Sequence, residues 1–169
     1  MFIAVISDTH DHKDNILKAV SIMNERKVDA LIHCGDYCSP FIERWFRGLN
    51  ENIQQNFYGV FGNNDGERLM LEKILRPLCE IVGLELIKDF GGLIIYASHM
   101  PSPDTIEALA NSSSFDIILS GHTHHVVNKK YDNGVLVVNP GEACGYLTGN
   151  ATFCIIDTIK KEAEIIQLG

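Results

Sequence analysis

Apolar positions along this chain fall into short runs, and each of the early runs ends on a polar cluster. Phe2 to Ile6 reads as a buried strand that leads into Ser7-Asp8-Thr9-His10. Between Asp14 and Arg26 the period changes, with Ile16, Leu17, Val20 and Met23 at helical spacing giving one face to lay on a sheet. Val28 to His33 is a second buried strand, ending at Gly35-Asp36. Ser39-Pro40 then opens a helix, with Ser as N-cap, Pro in the first turn and Phe41, Ile42, Trp45, Phe46 and Leu49 as its apolar stripe. A third strand, Asn56 to Phe61, meets Gly62-Asn63-Asn64-Asp65-Gly66, and a short helix to about Leu75 stops before Pro77.

Strand, loop and helix alternate in this way three times, which predicts a parallel α/β sheet. The second half has a different rhythm. Leu84 to Lys88 and Leu93 to Ser98 flank the turn Asp89-Phe90-Gly91-Gly92, and the latter strand ends at His99. Ser102-Pro103 caps a helix over Asp104 to Ala110. Phe115 to Leu119 is a buried strand that delivers Ser120-Gly121-His122-Thr123-His124-His125. Val126 to Tyr131 and Val135 to Val138 surround Asp132-Asn133-Gly134, a hairpin signal, and Thr152 to Asp157 with Ala163 to Leu168 close the chain as another. The expected fold is α/β, one domain over residues 1–169, built as a four-layer α/β/β/α sandwich of two mixed sheets flanked by helices. Residues two apart on an extended segment point the same way, so His122 and His124 are expected to project together.

A chain of 169 residues suits one substantial core. Its net charge of −8 excludes the basic surface that coats nucleic acid, while leaving room for a small nucleotide substrate and for cations offsetting clustered carboxylates. The N-terminus has no cationic leader, and no stretch approaches the roughly 20 apolar residues that span a bilayer. A cytoplasmic protein without a membrane partner is expected, so Asn111 and Asn150 carry no meaning as glycosylation acceptors. Cys34, Cys38, Cys79, Cys144 and Cys154 lack paired zinc-site spacing and are expected to be free, mostly buried thiols.

The residues at the expected strand ends carry the chemistry: Asp8, His10, Asp36, Asn63, His99, His122 and His124. Two carboxylates, one amide oxygen and four imidazoles form a nitrogen–oxygen donor set that suits Mn²⁺, Fe²⁺, Ni²⁺ or Zn²⁺. The set is too large for one ion with an open position and fits two if a carboxylate bridges them. His12, His33 and His125 are expected to lie outside it, His33 satisfying a backbone hydrogen bond within its strand. Asn139, Gly141 and Glu142 are expected to shape a turn nearby, and Phe41, Trp45 and Phe46 to be core.

The order D-x-H, G-D, G-N-x-D, H, G-H-x-H resembles the calcineurin-like metallophosphoesterases, and most closely their small single-domain phosphodiesterases from archaea and bacteria. The resemblance runs from Ile6-Ser7-Asp8-Thr9-His10 to Asn139-Pro140-Gly141. It implies a first metal on Asp8, His10 and His124, a second on Asn63, His99 and His122, and Asp36 as the catalytic bridge. Two divalent ions are implied, Mn²⁺ or Ni²⁺ first and Fe²⁺ or Zn²⁺ as alternatives. The implied activity is in-line attack on a small phosphate ester by a metal-bridging hydroxide, with a phosphodiester as the expected substrate. A phosphomonoesterase or nucleotide phosphatase is an alternative. So is a non-catalytic scaffold on the same fold, as the retromer subunit of this superfamily is. A homo-oligomer is compatible with all three.

Two positions depart from the family pattern. Asn64 stands where many members have a histidine that assists the leaving group, so it is the candidate catalytic residue there, able to donate a hydrogen bond but not a proton. His99-Met100-Pro101 replaces the common His-Gly-His, which removes one imidazole from the substrate side.

Overall fold

The strands are apolar on both faces because each of two sheets is covered on both sides. In the computed structural model, which describes residues 1–169, β1 (Phe2–Ile6) sends Ile3 and Val5 between the sheets and Ala4 and Ile6 toward helices. β2 (Ala30–His33) does the same with Ala30 and Ile32 against Leu31. The first sheet also contains β3 (Phe57–Gly59), β4 (Glu80–Ile81), β10 (Thr152–Asp157) and β11 (Glu162–Gln167). Its order is β11-β10-β1-β2-β3-β4, with β1 to β4 parallel and β10 and β11 antiparallel.

The second sheet holds β5 (Glu85–Asp89), β6 (Ile94–Ser98), β7 (Ile117–Leu119), β8 (Val126–Lys130) and β9 (Leu136–Pro140) in the order β5-β6-β7-β9-β8. Strands β6, β7 and β9 run parallel, and β5 and β8 pair antiparallel at the edges. Ile95, Ile117, Leu119, Leu136 and Val138 fill the layer shared with the first sheet.

Helices α1 (Lys13–Glu25), α2 (Glu43–Phe46), α3 (Glu51–Gln54) and α4 (Arg68–Leu75) cover the outer face of the first sheet. They bury Ile16, Met23, Phe46, Ile53, Leu71 and Leu75 there. Helix α5 (Pro103–Ser112) covers the second sheet through Ile106, Leu109 and Ala110. The four layers are therefore helix, sheet, sheet, helix, as the sequence predicts.

The boundaries depart from expectation in three places. The helix predicted from Ser39 is a 3-10 turn over Pro40–Ile42 followed by α2, and it breaks near Gly48. There the Asn50 N–H bonds Asn24 Oδ1 (2.8 Å), and this tie to α1 redirects the chain into α3. Ser39 makes no cap bond, since its hydroxyl donates to Asp11 Oδ1 at 2.9 Å. Third, β3 is shorter than predicted, and β4, a two-residue edge strand, is too brief to leave a period.

The C-terminal ends of β1, β2 and β3 meet those of β6, β7 and β9 along one edge of the sandwich, where α/β folds place their sites. At the other end Lys161 Nζ reaches Asp116 Oδ1 at 2.6 Å, and Asp116 Oδ2 accepts the Ile94 N–H at 2.9 Å. Burial opposes the charge on Asp116, but the lysine and the backbone bond hold its carboxyl below the usual range.

Truncating Ile32, fully buried between the sheets, should lower unfolding free energy by about 2–5 kcal/mol in Ile32→Ala, as read by urea denaturation. Ile159→Ser, at an exposed turn, should stay within about 0.5 kcal/mol of the parent.

Candidate metal centre

Seven side chains predicted from the sequence arrive at this edge. Asp8 and Asp36 are fully buried, His99 and His124 nearly so, His10 and His122 half-buried, and Asn63 lies at the rim. Asp36 Oδ2 lies 3.5 Å from His10 Nε2 and 3.4 Å from His99 Nε2. Asp8 Oδ1 lies 3.2 Å from His124 Nε2 and 3.8 Å from His10 Nε2. Asn63 Oδ1 stands 3.0 Å from His99 Nε2. Asp8, His10 and Asp36 can each turn a donor atom into one cluster.

Most of the strained backbone in the chain is collected in these loops. Asp8 (φ 52°), His10 (41°), Asp11 (55°), Asp36 (60°), Cys38 (81°), His122 (67°) and His124 (62°) all adopt the left-handed region without being glycine. Each such residue costs on the order of 1–3 kcal/mol and persists where surrounding structure enforces it. Here backbone bonds from Thr9 N and His10 N to Asp36 O, both 3.1 Å, lock the first two loops together. Gly62 and Gly121 are required by space, because a Cβ at either would strike Asp36 Oδ1 or Ser7 Oγ.

The left-handed His122 and His124 revise the strand geometry expected for them, but not the divergence that the resemblance implies. β7 ends at Leu119, so the two imidazoles lie on a loop and not on alternating positions of a strand. They diverge: the His124 ring is 5.3 Å from His10, and the His122 ring is 5.3 Å from His99. The His122 N–H donates to Asp8 Oδ2 at 3.1 Å, which ties the second sheet's loop to the first sheet.

Proton placement shows what the donor atoms are arranged to hold. His99 Nδ1 is 2.7 Å from Cys34 O, and a carbonyl only accepts, so Nδ1 carries the proton. Its Nε2 lone pair then faces Asn63 Oδ1 and Asp36 Oδ2. His124 Nδ1 is 2.7 Å from Glu142 Oε2. Burial works against the charge on Glu142, yet bonds from Thr148, His124 and Leu147 hold its pKa to about 2, so it too accepts. His124 Nε2 then faces Asp8 Oδ1. Acceptors aimed at acceptors repel unless positive charge stands between them. Asp8 Oδ1 and His10 Nε2 are in addition buried without any hydrogen-bond partner. Divalent cations held among these atoms would satisfy them, so the donor set fits metal ions.

The electrostatics agree. Burial raises the Asp8 carboxyl above its ordinary value despite the pull of Ser7, His99 and His124. Asp36 is pushed the other way: burial opposes its charge, but His99 and both amides of Asn64 outweigh it. His99 is raised because Asp36 beside it overcomes burial.

Asn64 differs from its expected role. Its backbone N–H donates to Asp36 Oδ1 and its side-chain amide to Asp36 Oδ2, both at 2.8 Å. The Asn64 side-chain amide is thus spent on a carboxylate.

Three residues act here that sequence reasoning passed over or undervalued. Asp65, given no role of its own beyond closing the G-N-x-D block, accepts the N–H groups of Asp36 (3.2 Å), Cys38 (2.8 Å) and Gly62 (2.7 Å), latching two strand-end loops. Glu142, expected to shape a turn, orients His124 directly. Cys38 Sγ lies 3.2 Å from His10 Nδ1. An acid three residues after Gly62 was the available signal for Asp65, but nothing local marks the others. His33 accepts the Gly35 N–H at 3.1 Å and stacks on Tyr37, outside the donor set, as expected. His12 accepts the Asn15 N–H at the start of α1, and His125 is exposed.

A calcineurin-like phosphoesterase superfamily domain model matches residues 1–161. A curated protein named phosphodiesterase, from Methanocaldococcus jannaschii, is 42% identical over 170 residues, 99% of each chain. A solved structure described as a novel archaeal phosphodiesterase superposes with a TM-score of 0.90 at 41% identity, covering 99% of this chain and all of that one. Vps29 from Chaetomium thermophilum shares the fold at 19% identity, with a TM-score of 0.70 over 99% of this chain and 94% of that one.

The Glu142–His124 contact makes a separable prediction. Glu142→Gln should weaken divalent-ion affinity about 10–100-fold, as measured by competition with a chromophoric chelator. Unchanged affinity would show that the contact does not orient a ligand.

Proposed function

The chain belongs to the calcineurin-like phosphoesterase superfamily, and on that premise we propose that it is a two-metal phosphodiesterase acting on small phosphate esters. The observation that carries the reading is the set of imidazole Nε2 atoms turned onto the carboxylates of Asp8 and Asp36, with Nδ1 protons of His99 and His124 already committed elsewhere. In this reading Asp8, His10 and His124 hold one ion, Asn63, His99 and His122 the other, and Asp36 is shared. The nitrogen–oxygen donor chemistry suits Mn²⁺, Ni²⁺, Fe²⁺ or Zn²⁺, and the family resemblance puts Mn²⁺ and Ni²⁺ first. Ions bound there would supply a water-derived nucleophile near neutral pH and would neutralise charge on the phosphoryl oxygens.

The chain's own residues do the rest. Asn64 fixes both oxygens of Asp36, so the shared carboxylate cannot rotate away. Glu142 keeps the His124 Nδ1 proton in place and leaves Nε2 free to ligate. No side chain at position 64 can protonate a departing alkoxide, so turnover depends steeply on leaving-group acidity. Free cysteines, four of the five buried, support a reducing compartment, which we take to be the cytoplasm; no helix is long and apolar enough to cross a membrane.

A scaffold on this fold is free to lose donor residues, whereas this chain keeps the full set. Hydrolysis of bis-p-nitrophenyl phosphate should vanish on chelation and return with Mn²⁺ or Ni²⁺. Asp36→Asn should cut the restored rate by about 100-fold or more. Metal-independent hydrolysis, or near-full activity in Asp36→Asn, would sink the reading.

A further inference from the structure

Beside Asn63 and His99 the surface dips into a groove walled by Phe61, Leu84 and Met100, with Arg68 at its edge. Leu84 and Met100 are each 57% exposed, which is apolar surface open to solvent at the mouth of a buried polar centre. No carboxylate lines the groove, in a chain of net charge −8. The Arg68 guanidinium lies 5.3 Å from the Phe61 ring centroid and donates to Gly62 O at 2.8 Å. That one bond leaves further N–H donors free and fixes the guanidinium in place.

We propose that this groove is the subsite for an aromatic ester group carried by the substrate, the group that stays on phosphorus, and that it makes this centre selective for aryl or nucleoside esters over alkyl ones. The inference rests on the phosphodiesterase reading and names its substrate class. Three features support it. The groove shares Asn63 and His99 with the proposed metal centre, so a phosphoryl group held there puts its ester substituent at the groove mouth. The thioether of Met100 and the face of Arg68 are partners for a flat ring, as is the branched end of Leu84. Arg68 supplies the positive charge that a phosphate monoanion attracts, with no opposing acid among the lining residues.

The test is equilibrium binding to the Mn²⁺-reconstituted protein, followed by isothermal titration calorimetry. The probes are methyl phosphate, phenyl phosphate and thymidine 5′-phosphate. They carry the phosphoryl group alone, with an aryl ring, and with a nucleobase at longer reach. An aromatic phosphate should bind about tenfold tighter than methyl phosphate, the worth of one ring partly removed from water. Preference for phenyl phosphate identifies an aryl ester, and preference for thymidine 5′-phosphate a nucleoside ester. Met100→Ser and Leu84→Ser, both at solvent-exposed positions, should each shrink the aromatic preference several-fold, and the double variant should erase it. Ile159→Ser, remote and exposed, should leave it unchanged. Equal binding of all three phosphates, or a preference that survives the double variant, overturns the groove while leaving the phosphodiesterase reading intact. Failure of every phosphate to bind the metal-loaded protein also overturns the groove, while metal-dependent hydrolysis of bis-p-nitrophenyl phosphate decides the phosphodiesterase reading separately.

Discussion

The carboxylate of Asp36 is the point on which the site depends. It sits just beyond the end of β2, where the two sheets approach each other, and touches the loops after β1, β3 and β6. Its backbone oxygen accepts from Thr9 and His10 after β1, its nitrogen donates to Asp65 after β3, and its side chain meets Asn64, His10 and His99. A buried anion of this kind is tolerated only where hydrogen bonds and positive charge compensate its lost hydration. Two amide bonds supply part of that compensation, and the facing imidazole nitrogens mark where the rest belongs.

The left-handed backbone around it follows from the same demand. Bringing seven donor groups from both sheets to one edge requires tight reversals directly after β1, β2 and β7, and residues with large side chains make those reversals at a cost. The covered sheets supply the offsetting stability. Strands apolar on both faces bury Ile3, Ile6, Leu31, Ile32 and Phe153 completely, and this rigid double layer holds the loops in conformations they would not adopt alone. Site and core are thus one energetic system, with Asp65 and Glu142 as the local struts between them.

Much of this was legible in the sequence because it is written in short-range pattern. Runs such as Phe2 to Ile6 and Phe115 to Leu119, each followed by polar residues, announce covered strands with chemistry at their ends. The order of the five polar blocks identifies the donor set. Other features are contacts without a local signature. The break between α2 and α3 depends on Asn24 reaching Asn50, and β4 exists only because β3 lies beside it. The pairing of Glu142 with His124, of Cys38 with His10 and of Asp65 with Asp36 joins residues 18 to 29 positions apart. The direction of the Asn64 amide could not be read from its identity, since an asparagine there could equally have faced substrate. His122 and His124 diverge as the resemblance implies, but through two positive φ angles and not through strand alternation.

Most directly, the account is tested by anomalous diffraction from crystals of the Mn²⁺-reconstituted protein, collected on either side of the manganese edge. It predicts two anomalous peaks per chain with the Asp36 carboxylate between them, one against His10 and His124 and the other against Asn63, His99 and His122. A single peak, none, or a pair that does not share Asp36 would contradict it.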